Sequence, residues 1–376
     1  MIRLSHPLIG EEEVSAVSKV LLTGMLVQGR YVSTFEEALE GYIQVKHAAA
    51  VSSGTAALHA ALVALDIHEG DAVFTPAFTF PATVNVIELQ KARPILVDVN
   101  PVDYNMDPHQ LEQAIIHWKG AEIPRAILVV HEFGAPCDMT AIMNIANKYS
   151  LYVIEDAACA LGTRWNDRHV GTFGDIGCFS WHPRKGITTG EGGTVVTSSD
   201  QLFATLSSLR NHGIELSTGK IDFVLPGFNY RMTDFQAALG SVQLKKFEFW
   251  LEKRRLLAEL YSTYLTGFTG VSLPKVIKGH AWQTYMITLE GTLDRDQLII
   301  DMKEQGIEVN LGAQAIHMLS YYRTKYQYKH SDYPNACRLY TSGLALPLHP
   351  NLTNDDILTV TRKLRYTINM SKSEPL

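Results

Sequence analysis

The sequence predicts an α/β protein: a mostly parallel sheet flanked by helices, followed by a smaller C-terminal α+β domain. Three observations carry this. Residues 46–197 alternate short apolar, β-branched runs with helical stretches, the pattern of a sheet built from crossover units. After residue 197 the alternation gives way to a polar segment and one long helical pattern. At 376 residues the chain also exceeds what a single core usually supports, so two domains are expected.

Taken in order, Ala48–Val51, Ala72–Thr75, Pro94–Val97, Ala126–Val130, Tyr152–Ile154, Ile176–Phe179 and Thr194–Thr197 read as strands. Thr55–Leu65, Pro81–Leu89, Pro108–Ile116 and Thr140–Tyr149 read as the helices between them. His212–Pro226 is polar and contains glycine, so it reads as a loop, and Met232–Tyr264 as a long helix with at most one interruption. A strand at Tyr285–Thr288, a helix at Arg295–Gln305 and a last helix from Asp355 complete the chain. The domain change is placed within the long helix, dividing the chain into a large cofactor-binding domain, 1–250, and a small C-terminal domain, 251–376.

Composition narrows the class. With 46% hydrophobic and 19% charged residues this is an ordinary globular chain, and a net charge of -6 with no Lys/Arg-rich tract argues against nucleic acid or an anionic membrane as partner. Glu11–Glu13 stand where a secretory signal would have its apolar core, and no apolar run approaches a membrane span, so a cytoplasmic protein is expected. Cys137, Cys159, Cys178 and Cys337 are scattered without a C-x-x-C, so no disulfide framework and no metal site are expected.

Lys185 is the most informative residue. It follows the apolar Phe179 and Trp181 and precedes Thr188, Thr189, Gly190, Gly192 and Gly193, a setting of close backbone packing rather than a solvated helix face. Upstream, Ser52-Ser53-Gly54-Thr55 joins a strand to an apolar helix. It is either a plain helix cap or an anion site, in which the helix dipole adds about 0.3–2 kcal/mol for a phosphate. Dinucleotide and P-loop motifs are absent: there is no G-x-G-x-x-G, and Gly213–Lys220 has one residue too many, followed by Ile221.

The strand Leu151–Ile154 ends in Glu155 and Asp156, at the edge where ligands of parallel sheets gather. Asp156 either caps the next helix or pairs with a pyridinium nitrogen. Phe80, in Pro76–Thr83, either stacks on a ring or enters the core. An anion cradle, a strand-end aspartate and a later lysine are together the parts that pyridoxal 5'-phosphate requires.

At this point the chain resembles, over nearly its whole length, the DegT/StrS-type nucleotide-sugar aminotransferases of pyridoxal-phosphate fold type I. The matching stretches are Pro7–Glu13, Val51–Leu58, Pro76–Thr83, Val97–Asp107, Glu155–Ala158, Phe179–Gly193 and Gly227–Gly240, specific in order and spacing. The resemblance implies that Lys185 forms the Schiff base, Asp156 pairs with the pyridine nitrogen and Phe80 stacks on the ring. Gly54, Thr55, Ala56 and Ser180 would bind the phosphate. Asn229 would reach the phosphate of the neighbouring subunit's cofactor, which implies a homodimer with shared active sites.

The resemblance further implies L-glutamate as donor and a nucleotide-linked keto sugar as acceptor, most often a 4-keto-6-deoxyhexose, with the amino sugar serving surface polysaccharide such as lipopolysaccharide O-antigen. A 3-keto sugar is the runner-up. A sister activity, sugar C3 dehydration, is usually marked by His in place of the lysine, so Lys185 argues against it, and a non-catalytic regulatory role leaves the lysine, aspartate and anion cradle unexplained. Two positions depart from the pattern. Cys159 stands where relatives commonly carry Gln or His to the cofactor's phenolic oxygen, and a thiol is a weak partner. Gly312-Ala313 occupies the place of a His-Tyr pair found in many relatives. Arg210 and Arg231 are candidates for a donor carboxylate or nucleotide phosphates, or else for structural ion pairs.

Overall fold

In the computed structural model, which describes residues 1–217 and 219–373, every apolar run read as a strand before residue 200 enters one sheet. Its strands are β1 (His47–Val51), β2 (Asp71–Pro76), β3 (Arg93–Val97), β4 (Ile123–Val130), β5 (Tyr152–Asp156), β6 (Ile176–Ser180) and β7 (Gly193–Thr197). They lie in the order β1-β7-β6-β5-β4-β2-β3. Only β7 runs against its neighbours; the pairs among β3, β2, β4, β5 and β6 are all parallel. Strands β2, β6 and β7 are buried along their whole length, which is why they read as unbroken apolar runs rather than alternating ones.

The helix Gly54–Ala64 is buried at Ala56, Ala57, Leu58, Ala60, Ala61 and Leu62 and packs against β6 and β7. Its small residues allow close approach to the sheet, so its first turn is held at the strand ends.

One segment differs from the expectation. His212–Pro226 is not a plain loop: it contains an antiparallel hairpin, Ile214–Ser217 paired with Lys220–Phe223. Ile221 and Phe223 stay 65% and 66% exposed, so no core contact reinforces its pattern.

The long helix is continuous from Asp234 to Leu265. Its Leu244, Phe247, Trp250 and Leu251 pack with Phe35, Phe179 and Trp181, whereas Leu257, Ala258, Tyr261 and Leu265 pack with Tyr285, Ile287, Leu344 and Leu364. We propose that the two domains meet in this helix, near residue 250. The second cluster is built on a small antiparallel sheet, Val271–Ser272, Tyr285–Leu289 and Gly343–Leu346, and on the helix Asn354–Ser373. The first residues of the chain join this C-terminal part, Ile2 pairing with Gly306 and Glu308. Among the described residues no helix is long and apolar enough to cross a membrane.

Candidate active site

The C-terminal ends of the parallel strands open into a cleft of about 670 Å³. Ser53, Gly54, Thr55, Phe80, Asp156, Cys159, Ser180 and Lys185 all line it. Side chains alternate across a strand, and this separates the two acids of β5. Glu155 is fully buried and saturated: it accepts from His131 Nε2 at 3.0 Å and from the backbone N–H groups of Gly171, Phe173 and Gly174 at 2.7, 2.6 and 2.7 Å. Asp156 faces the cleft, accepting from the Thr83 hydroxyl at 2.8 Å and from Ala158 N–H at 3.1 Å. Burial raises its pKa above the ordinary aspartate value, against these two hydrogen bonds and the charge of Lys185.

Lys185 sits in a loop whose ends are the antiparallel neighbours β6 and β7. Gly193 pairs with Ser180, Trp181 N–H donates to Gly192 O at 2.9 Å, and Thr189 N–H donates back to Trp181 O at 3.0 Å. Lys185 Nζ donates to Cys159 Sγ at 2.9 Å. Burial works to lower the pKa of this amine, but the side chains of Cys159, Asp156 and Glu132 around it outweigh that. The Cys159 thiol is itself pushed up by burial. A thiol so buried keeps its proton at neutral pH, which leaves Asp156 as the principal anion facing the amine.

The anion cradle is closely fitted. The Ser53 side chain caps the helix by accepting Ala56 N–H at 3.0 Å, and Ser53 O takes Ala57 N–H at 3.0 Å, which leaves the amides of Gly54 and Thr55 at the helix start. Ala56 is thus already engaged, while Thr55 is exposed toward the cleft. A Cβ on Gly54 would fall 2.8 Å from Ser180 Cβ, and one on Gly193 2.4 Å from Ser53 O, so both glycines are required for Ser180 to stand beside the helix N-terminus. Phe80 is 69% exposed over the cleft, a ring face without a partner.

The remaining candidates lie elsewhere. Asn229 does not line the cleft; it bridges to Asn211 on a segment in which Val51 pairs with Arg231 and Ser52 N–H donates to Tyr230 O at 2.8 Å. Arg210 is buried in an ion pair with Glu36 and donates to Ala50 O at 2.9 Å, a structural role. Arg231 donates to Asn211 Oδ1 at 2.6 Å. Gly312 and Ala313 reach the cleft because Gln314–Ala315 pairs with Phe78–Thr79. A Cβ at Gly312 would fall 2.0 Å from Met286 Sδ, so a histidine does not fit there as the chain is packed.

The family model for the DegT/DnrJ/EryC1/StrS aminotransferase family matches residues 7–365. The chain belongs to this family. It is 35% identical to the spore coat polysaccharide biosynthesis protein SpsC of Bacillus subtilis, over 96% of this chain and 95% of that one. Its fold is similar to that of Helicobacter pylori PseC, an aminotransferase involved in the biosynthesis of pseudoaminic acid (TM-score 0.92, 26% identity, 98% and 99% of the two chains). It is also similar to Spr1654 of Streptococcus pneumoniae in its PLP form (TM-score 0.91, 25% identity, 98% of each chain). This member of the DegT family is therefore a pyridoxal-phosphate-dependent aminotransferase of fold type I.

The residues present fit that cofactor. The cradle at Gly54 and Ser180 excludes side-chain atoms and presents amides and a hydroxyl, the buried carboxyl of Asp156 faces the cleft beside Lys185, and Phe80 exposes its ring over the cleft. Reading the sequence alone misses Thr83, which orients Asp156, and Glu132, whose buried Oε2 has no hydrogen-bond partner among the described residues. Thr83 lies in the stretch that carries Phe80, so its nearness to the ring site is readable there. Glu132 follows His131 after an apolar strand and reads as a polar residue of the loop there.

Proposed function

We propose that this DegT-family aminotransferase moves an amino group from L-glutamate to a nucleotide-linked keto sugar, a 4-keto-6-deoxyhexose, and so supplies an amino sugar for surface polysaccharide or glycoconjugate synthesis. The observation that carries the chemistry is the convergence of Lys185, Asp156 and the Gly54/Ser180 cradle on one cleft. The sugar reading is supported by the relatives: SpsC is a polysaccharide biosynthesis protein, and PseC an aminotransferase involved in the biosynthesis of pseudoaminic acid.

In this proposal Gly54, Thr55 and Ser180 hold the phosphate and Phe80 covers the ring; Ala56, expected from the resemblance to join them, does not line the cleft and has its N–H taken by the Ser53 hydroxyl. Asp156, oriented by Thr83, keeps the ring nitrogen protonated. Bound pyridoxal phosphate supplies the electron sink that lets the Cα–H bond of the donor break. Lys185 would hold the cofactor through its side-chain amine and, when that amine is free, would serve as the base and acid that moves the donor's Cα proton. Its backbone is pinned on both sides, so the amine swings on its own side chain over a short arc. Cys159 bonds Lys185 Nζ and keeps it aimed into the cleft.

A homodimer belongs to the same proposal. Leu22, Met25 and Val27 are 88%, 74% and 63% exposed, and with Ile221 and Phe223 they offer apolar surface that a second copy would cover. Asn229 lies outside its own cleft, as a residue serving a partner's phosphate would. Asn229→Asp is then expected to weaken cofactor retention about tenfold or more by setting a carboxylate against a phosphate; equilibrium dialysis giving parental affinity would count against the shared site.

The function is tested by incubating purified protein with glutamate and a panel of nucleotide-linked 4-keto and 3-keto sugars. Formation of 2-oxoglutarate and a 4-amino sugar is the expected result. Turnover confined to 3-keto acceptors would correct the position, and none with either class would sink the proposal.

A further inference from the structure

The cleft contains an acid for which the proposed mechanism has no use. Glu132 follows β4 in a tight turn that holds it rigidly. Its N–H donates to Asn105 Oδ1 at 2.9 Å, Asn105 in turn donates to Ala135 O and Pro136 O, and the next residue, Phe133, is held at φ 56°. A phenylalanine in the left-handed region is uncommon, and such backbone clusters at functional sites. The turn is also fixed from outside, Gln283 N–H donating to Phe133 O at 2.9 Å.

Glu132 itself is 5% exposed, lines the cleft, and leaves Oε2 without a hydrogen-bond partner among the described residues. Glu155, nearby, is buried with donors on both oxygens, so an unsatisfied carboxyl is not a general habit of this core.

The chemistry of pyridoxal phosphate indicates what this oxygen would meet, on the reading that Asp156 takes the ring nitrogen, Lys185 the aldehyde carbon and Gly54/Ser180 the phosphate. Around the ring the order is nitrogen, methyl carbon, the carbon bearing the 3-oxygen, the aldehyde-bearing carbon, and the carbon with the phosphate arm. The 3-oxygen therefore lies beside the aldehyde on the side turned away from the phosphate, toward groups that neighbour both Lys185 and Asp156. Cys159 and Glu132 both feel the two charges.

We propose that Glu132 is the hydrogen-bond donor to the 3-oxygen of the bound cofactor, a bond that the thiol of Cys159 makes only weakly. To donate, the carboxyl must keep its proton. Burial pushes its pKa up to about 8, with the Lys185 charge opposing and the Asp156 charge adding to the rise. Across the cleft it faces Lys185, at the end of β5 Asp156, on the turn beyond it Cys159, on its own turn Cys137, and from Phe78–Thr79 the Thr79 hydroxyl. A positioning acid of this kind makes good the weak residue at 159.

The test reads the visible absorption band of the lysine-bound cofactor in the holoenzyme as a function of pH. A donor at the 3-oxygen counts most once the imine nitrogen has lost its proton, because the internal N–H···O bond is then gone. It therefore lowers the midpoint of that titration. Glu132→Leu is expected to raise the midpoint by about one to two pH units, and Glu132→Gln, which keeps a donor and cannot ionise, to leave it close to the parent's. An unchanged or lowered midpoint in Glu132→Leu would overturn the proposal, the lowered one being what loss of an anion produces. If Glu132→Leu does not retain cofactor, Glu132→Gln decides: a midpoint well away from the parent's overturns it. Borohydride labelling mapped to Lys185 in the same preparations separates this from the reading beneath it, since label elsewhere refutes the site and says nothing against Glu132 alone.

Discussion

Lys185→Ala is expected to lower amino transfer by about 10⁴-fold or more, because in the proposed function one side chain serves as both covalent anchor and proton carrier. The measurement is 2-oxoglutarate release under saturating donor. Borohydride reduction should fix the cofactor to the parent and leave the variant unlabelled. Folding should survive, since the side chain bonds Cys159 while the loop is held by backbone bonds between Trp181, Thr189 and Gly192. The variant is therefore expected to accept preformed pyridoxamine phosphate and to yield half a reaction's product at most. Activity within tenfold of the parent, or label on another lysine, would remove Lys185 from the centre of the reaction.

Asp156→Asn is expected to cost about 10²- to 10³-fold in kcat, the range found when a preorganised charge at a reacting centre is removed. The shape is nearly conserved, so the loss isolates the negative charge that keeps the ring nitrogen protonated. The apo protein should respond in the opposite direction. Burial raises the folded pKa of Asp156, so ionisation is harder in the folded state, and its contribution to stability is present below the unfolded pKa and lost as pH rises through the folded one. Replacing it by a neutral amide removes that loss. Apo Asp156→Asn should thus unfold at the same or higher denaturant concentration at neutral pH, and a variant both less active and clearly less stable would assign Asp156 a packing role instead.

Much of the fold and of the site is legible in the amino-acid sequence. The sheet strands stand out because both of their faces are covered, so Val73, Phe74, Ile127 and Leu128 sit in unbroken apolar runs. The hairpin at Ile214–Phe223 does not stand out: its alternation of apolar and polar residues is short, and Ile221 and Phe223 point to solvent rather than to a core. Lys185 and Asp156 can be picked out because their residue types are costly in apolar surroundings. Which of Glu155 and Asp156 enters the cleft follows from the neighbours Gly171, Phe173 and Gly174, which lie well downstream and close over the other face. Glu132 is invisible for a related reason. Its isolation depends on Asn105 holding the turn and on Lys185 arriving from a later loop, and neither contact is local in sequence.

The reversed strand β7 has a consequence for how this enzyme tolerates change. Ser180 and Lys185 stand on one loop whose two ends are clamped together by the pairing of Ser180 with Gly193. In the proposed function that loop works as a gauge: the span from the phosphate end of the cofactor to its aldehyde end would be set by the five-residue step from Ser180 to Lys185. Elsewhere on the surface a longer connection costs little, since closure entropy grows slowly with length. Here a single inserted or deleted residue between 180 and 185 would leave the sheet paired and the protein folded, yet carry the amine past its mark. Length variation among functional descendants of this chain should therefore stay out of this segment.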